Sequence, residues 1–398
     1  MKTKILIFFF FILVTLISYG QNAAQEKKET TSELYKRLDK KTRGRLEGNN
    51  HKFYPIISSA LSYGTNIVQD EVKPLFEKND FLSLDYRMGY QTVGNNIYYQ
   101  LWRYPEWGIG YYGVKLHNDS VFGIPNAVFA YIDIPFNKWN PNRKWSFSYS
   151  LGGGLSFNFR PNNPQTNPLN TLIGSYNNVY IDLAMWANVK MSKTLDGKIG
   201  ISFVHFSNGA STLPNYGMNL IGVKTVIKHH LVQERPVVYQ KKDIPKWDKK
   251  HGLFIYQAMG SKQLSEHGTN YFNSTTSVAY KYWANYKGQW LAQLDFFYDT
   301  SANSGEEPRN QVPIDDRDNP ANQWSIGLFA GYEAIYNRWS FVCGWGHYLW
   351  RRYDFTDCNY QRFGIRYRIY EGFVIGAGLK ARTFAADYIE WSVGYNLF

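Results

Sequence analysis

Apolar and polar residues alternate with period two through most of this chain, the spacing that puts successive side chains on opposite faces of a strand. From 145 to 159 the odd positions Trp145, Phe147, Tyr149, Leu151, Leu155, Phe157 and Phe159 are apolar, and the even ones are Ser, Gly or Asn. Ile181, Leu183, Met185 and Val189 are interleaved with Asp182, Trp186 and Asn188, and Phe363, Ile365, Tyr367 and Ile369 with Arg362, Gly364, Arg366 and Arg368. The final run sets Ile389, Trp391, Val393, Tyr395 and Leu397 against Glu390, Ser392, Gly394 and Asn396, and ends at Phe398. The pattern predicts strands over 54–65, 80–91, 107–115, 123–135, 144–159, 176–191, 196–207 and 217–228. A second set follows over 250–261, 270–285, 288–299, 323–336, 338–350, 359–370, 371–382 and 386–398, with 92–106 as a possible extra piece.

The first twenty residues break this pattern. Lys2 and Lys4 precede an apolar core from Ile5 to Ile17 and then Ser18-Tyr19-Gly20, which reads as a secretory signal peptide cut near Gly20 or Gln21. Residues 21–50 carry mixed charge and few large apolar side chains, and read as a polar periplasmic lead-in. No later window approaches a membrane-spanning helix. With 13 Trp, 32 Tyr and 26 Phe, and a mean hydropathy of −0.43, the chain is aromatic-rich yet only moderately apolar. That combination predicts an all-β protein, a transmembrane antiparallel barrel of about sixteen strands in total, in the outer membrane. A soluble sandwich would not need so many strands with Trp or Tyr at their ends.

If the last strand ends in the periplasm, counting backwards places the long connections 160–175 and 300–322, and the turn after Ser207, outside the cell. The polar segment 229–250 spoils the regularity, being long for a periplasmic turn. It predicts a boundary between 51–228 and 251–398: either one large barrel carries an insertion, or two eight-stranded units follow one another.

The formal charge of +12 includes the two leader lysines, leaving about +10 on the mature chain. After secretion, anionic lipid or glycolipid is the expected partner and nucleic acid is not. Cys343 and Cys358 are too few for a disulfide framework and lack metal-site spacing. Cys343 shares a register with Trp339, Phe341 and Trp345, which predicts a packed thiol. Arg362, Arg366 and Arg368, with Lys380, are expected to face inward, either lining an anion-attracting pore or pairing with lumen carboxylates. Glu306, Glu307, Asp315, Asp316 and Asp318 in the long outer loop read as solvated or as divalent-ion ligands, and His229 and His230 lie where the linker begins without other ligands nearby.

The stretch HFSNGASTLPNYGMN, 205–219, carries the candidate chemistry. Ile199, Ile201, Phe203, His205 and Ser207 share the lipid-facing register, and residues two apart on a strand lie roughly 6.5 to 7 Å apart. A serine beside a histidine base is the core of an acyl-transfer nucleophile. A polar pair at a membrane interface also serves simply to bind water or headgroups.

His-x-Ser-Asn followed by Pro214-Asn215-x-Gly217, with a polar residue at 219, resembles the lipid A 3-O-deacylase (PagL-type) family of outer-membrane esterases, densely over 205–219 and loosely over about 54–228. The resemblance implies an eight-stranded barrel that removes an ester-linked acyl chain from lipid A of lipopolysaccharide, with its site on the lipid-facing wall. It implies Ser207 as nucleophile and His205 as general base. Asn219 stands where the family has a glutamate; an asparagine can orient the imidazole but cannot offset its charge. Asn208 and Asn215, with backbone amides around Gly209 and Ala210, are the candidate oxyanion donors or else serve the turn. Gly217 reads as a backbone requirement. No metal or organic cofactor is implied. A terminal aromatic, Phe398, resembles the signal read by barrel assembly machinery. The other reading is a non-enzymatic porin or transport barrel with a remnant site.

Overall fold

The computed structural model describes residues 54–67, 78–94, 96–137, 143–232, 244, 246–248, 250–307, 309–354, 358–370 and 372–397. The leader, the lead-in, most of the linker and Phe398 lie outside the described residues. Sixteen strands form two closed antiparallel barrels of eight, which decides between one large barrel and two.

The first barrel comprises β1 Tyr54–Asn66, β2 Asp80–Gln91, β3 Glu106–Leu116, β4 Gly123–Pro135, β5 Trp145–Phe159, β6 Asn178–Lys190, β7 Leu195–Ser207 and β8 Met218–His230. It closes by pairing β8 with β1. The segment 92–106 adds no strand and instead forms helix α1, Ile97–Leu101, whose first turn is capped by the Asn96 side chain accepting from Tyr98 N at 2.8 Å. Helix α2, Asp119–Phe122, is a single turn between β3 and β4.

The second barrel comprises β9 His251–Lys262, β10 Tyr271–Asn285, β11 Gly288–Asp299, β12 Trp324–Tyr336, β13 Trp339–Arg351, β14 Asn359–Tyr370, β15 Phe373–Arg382 and β16 Ala385–Asn396, and closes by pairing β16 with β9. Its long connection, 300–323, holds three 3-10 turns.

Each barrel has an apolar outer wall and an interior that mixes buried charged and aromatic side chains. On β7 Ile199 and Ile201 stand 53 % and 59 % exposed on the outer wall, while Lys198, Ser202, Val204 and Phe206 point inward. The first lumen is filled from one end by an aromatic cluster that includes Tyr112, Phe129, Tyr180 and Phe206. Next to it Arg87 Nη2 lies 2.8 Å from carboxylate oxygens of both Asp85 and Asp182, and Lys224 Nζ is 2.8 Å and 3.2 Å from the same two residues. A buried charge is tolerated only when paired, and these cations are each held by two carboxylates within the lumen.

The second lumen follows the same rule, which resolves the role of the predicted basic stripe. Arg362 lies 3.0 Å from Asp295 and 2.7 Å from Glu390, Lys380 lies 2.6 Å from Asp387, and Arg366 is 3.5 Å from Glu333. Arg368 keeps the same register at the end of β14, where it is exposed and lines the mouth of the lumen with Lys281 and Glu333. Phe159 departs from its alternating set. Asn158 adopts a left-handed φ of 64°, and Phe159 turns into the first barrel's core.

Candidate functional site

Alternation fixes which wall the candidate residues occupy. Val204 and Phe206 are sunk in the first lumen, so His205 and Ser207 between and beyond them face outward. Met218 and Leu220 are likewise sunk, which turns Asn219 outward on β8. The antiparallel register sets His205 directly opposite Asn219, a separation at which cross-strand side chains meet.

They do meet. His205 Nδ1 and Asn219 Oδ1 are 2.7 Å apart. With the amide oxygen facing the ring, Nδ1 carries the hydrogen and donates, leaving Nε2 with its lone pair. The Phe203 ring lies nearly parallel to the imidazole, with centroids 6.4 Å apart and a tilt of 10°. Ser207 follows on the same face two positions along β7. Ser207 and Asn219 are each only 8 % exposed, unlike the open wall at Ile199 and Ile201, so the polar groups sit in a sheltered part of an otherwise apolar surface.

Three residues hold this pair in ways the sequence did not reveal. Asn219 is fixed through its backbone: Ile67 N donates to its carbonyl at 2.7 Å, and its own N–H donates to Asn66 Oδ1 at 3.3 Å. Asn66 lies 153 positions away in the chain, and only closure of β8 onto β1 brings it near. Gly217, with φ of 74°, passes so close to the imidazole that an added Cβ would sit 2.8 Å from His205 Cε1. The sequence marks Gly217 as a turn residue; the fold adds that no side chain fits there.

The turn after Ser207 largely satisfies itself. Asn208 N donates to Asn215 Oδ1 at 3.0 Å, Asn208 Nδ2 donates to Thr212 O at 2.8 Å, and Ser211 Oγ donates to Asn208 O at 3.0 Å. The amide and side chain of Asn208 and the oxygen of Asn215 are thus used within the turn, which favours the structural reading for both. Gly209 and Ala210 both adopt φ of 65°.

A second histidine–asparagine pair lies on the outer wall of the second barrel. His347 Nδ1 is 3.0 Å from Asn359 Oδ1 across β13 and β14, but Leu349 occupies the position two residues on, so this pair has no adjacent hydroxyl nucleophile. In the outer loop Glu306 accepts from Ser265 Oγ at 2.7 Å and from Tyr271 OH at 2.5 Å. These bonds hold its carboxyl below the usual glutamate range. Asp316, held low by hydrogen bonds from the Asn319 and Tyr353 side chains, likewise ties loop side chains together. Among the described residues no three acidic, histidine or cysteine side chains gather as metal ligands, which favours the solvated-loop reading of this acidic run. Cys343 and Cys358 are both free thiols, the first buried and the second exposed.

Residues 251–398 match the family model PagL_C, described as the acyloxyacyl hydrolase C-terminal domain. That span is less than half of the chain, and the second barrel is thereby similar to this family. The match falls on the second barrel, whereas the His-x-Ser-Asn motif of 205–219 lies in the first. No curated protein matches the chain. Among solved structures, two engineered mutants of the Rh. blastica porin align over 86 % of this chain and 100 % of theirs, at 8 % and 9 % identity and each with a TM-score of 0.16.

Proposed function

We propose that the chain is an outer-membrane esterase that removes an ester-linked acyl chain from lipid A of lipopolysaccharide, with Ser207 as nucleophile, His205 as base and Asn219 as orienting residue. The observation that carries the reading is the 2.7 Å contact between His205 Nδ1 and Asn219 Oδ1 on the same outward face as Ser207. A base held by a third group, next to a hydroxyl, is the arrangement nucleophilic acyl transfer requires.

In this reaction Ser207 Oγ attacks the ester carbonyl while His205 Nε2 takes its proton. The imidazolium donates through Nδ1–H to Asn219, which steadies the ring without supplying a counter-charge. Collapse of the tetrahedral intermediate breaks the bond to the sugar hydroxyl, and His205 returns the proton to that oxygen. Water, deprotonated by His205, then releases the fatty acid from Ser207. Backbone amides at Gly209 and Ala210 are the proposed oxyanion donors, since Asn208 and Asn215 are committed within the turn. An outward site suits a substrate whose acyl chains lie against an apolar wall.

Packed ion pairs in both lumens count against the porin reading. Loss of an acyl chain from lipid A in cells expressing the protein, and its absence with Ser207→Ala, tests the proposal.

A further inference from the structure

At the short-turn end of the second barrel a cavity of about 270 Å³ opens among the ends of β10 to β16. Its lining includes three cations, Lys281, Arg338 and Arg368, and one carboxylate, Glu333. Glu333 is already fully engaged. It accepts from Ser340 Oγ at 2.6 Å and from Gln289 Nε2, and lies 3.5 Å from both Lys281 Nζ and Arg366 Nη1. Arg338 and Arg368 are both exposed, and among the described residues neither has a carboxylate partner.

Gln289 also lines the cavity, but its amide is buried: Nε2 donates to Glu333 and Oε1 has no accessible surface. Trp283 and Trp339 complete the lining with apolar faces.

We infer that this cavity binds a small phosphate ester such as a glycerophosphate unit, with the phosphate on Arg338 and Arg368 and Lys281 adding charge. Guanidinium pairs bind phosphate oxygens bidentately, and the volume suits a small polar ligand better than an acyl chain. The unit can come from a free phosphate ester or from a phosphatidylglycerol headgroup. The inference stands on the second barrel alone and does not depend on Ser207.

The test titrates sn-glycerol 3-phosphate into the full chain in a neutral detergent by calorimetry. One saturable site per chain is expected, weakened at least tenfold in the double variant Arg338→Ala/Arg368→Ala, whose folding is confirmed by heat-modifiable electrophoretic mobility. No saturable binding, or equal binding by the folded double variant, overturns the inference. In nanodiscs, loss of the calorimetric signal with phosphatidylglycerol but not with phosphatidylcholine assigns the site to the headgroup. An equal signal in both assigns it to the free ester.

Discussion

At the scale of single residues the account depends on how His205 is held. Asn219 keeps Nδ1 as the donor, so Asn219→Leu is expected to lower deacylation at least tenfold, within the roughly 10²–10⁴ that a positioned base contributes. Asn219→Glu is expected to preserve or raise activity by restoring a negative charge beside the imidazolium; complete loss in a folded protein would count against the orienting role. Gly217→Ala pushes a methyl against His205 Cε1 at a left-handed φ of 74° and is expected to reduce turnover and also to lower thermal stability, by roughly 1 kcal/mol or more. A variant as active as wild type would show that the imidazole has room the structure does not give it. The His205, Ser207 and Asn219 positions were legible because strand alternation fixes the face from sequence. Asn66 was not, since its approach depends on closure between the first and last strands of the barrel. Thiol chemistry gives a separate residue-scale check: maleimide is expected to label Cys358 and spare Cys343 in the folded protein, Cys343 being 4 % exposed.

At the scale of elements, paired lumen charges hold the strands. Removing the Arg362 side chain leaves Asp295 and Glu390 buried without their guanidinium partner, and Arg362→Ala is expected to cost about 3–5 kcal/mol, read as a lower unfolding midpoint in denaturant. An unchanged midpoint would show that water reaches those carboxylates. The outer loop adds a pH dependence. Hydrogen bonds from Tyr271 and Ser265 depress the Glu306 pKa below its usual 4.5, so its contribution is fully present above that value and is lost as pH falls through the lower folded value. Proteolysis in 300–323 is therefore expected to rise only below about pH 4.5, and less steeply in Glu306→Gln. The period-two signal located all sixteen strands to within a few residues, because each strand has an apolar wall face and a more polar lumen face. It misread 92–106, where Asn96 caps a short helix, and Phe159, where a left-handed Asn158 switches the face. Neither depends on periodicity.

At the scale of the whole molecule, the main physical fact is the division of side chains in each of two closed barrels: apolar walls outside, and ion pairs packed among aromatic side chains inside. Sequence could not choose between one barrel and two, because both satisfy the same alternation and only the closing pairs, β8 with β1 and β16 with β9, distinguish them. The central claim is that Ser207 on the outer wall of the first barrel cleaves a lipid A ester. Mass spectrometry of lipid A from cells carrying wild type or Ser207→Ala, with both proteins shown to be folded in the membrane, tests it most directly. The account predicts species one acyl chain lighter with wild type alone; identical acylation patterns in the two strains would contradict it.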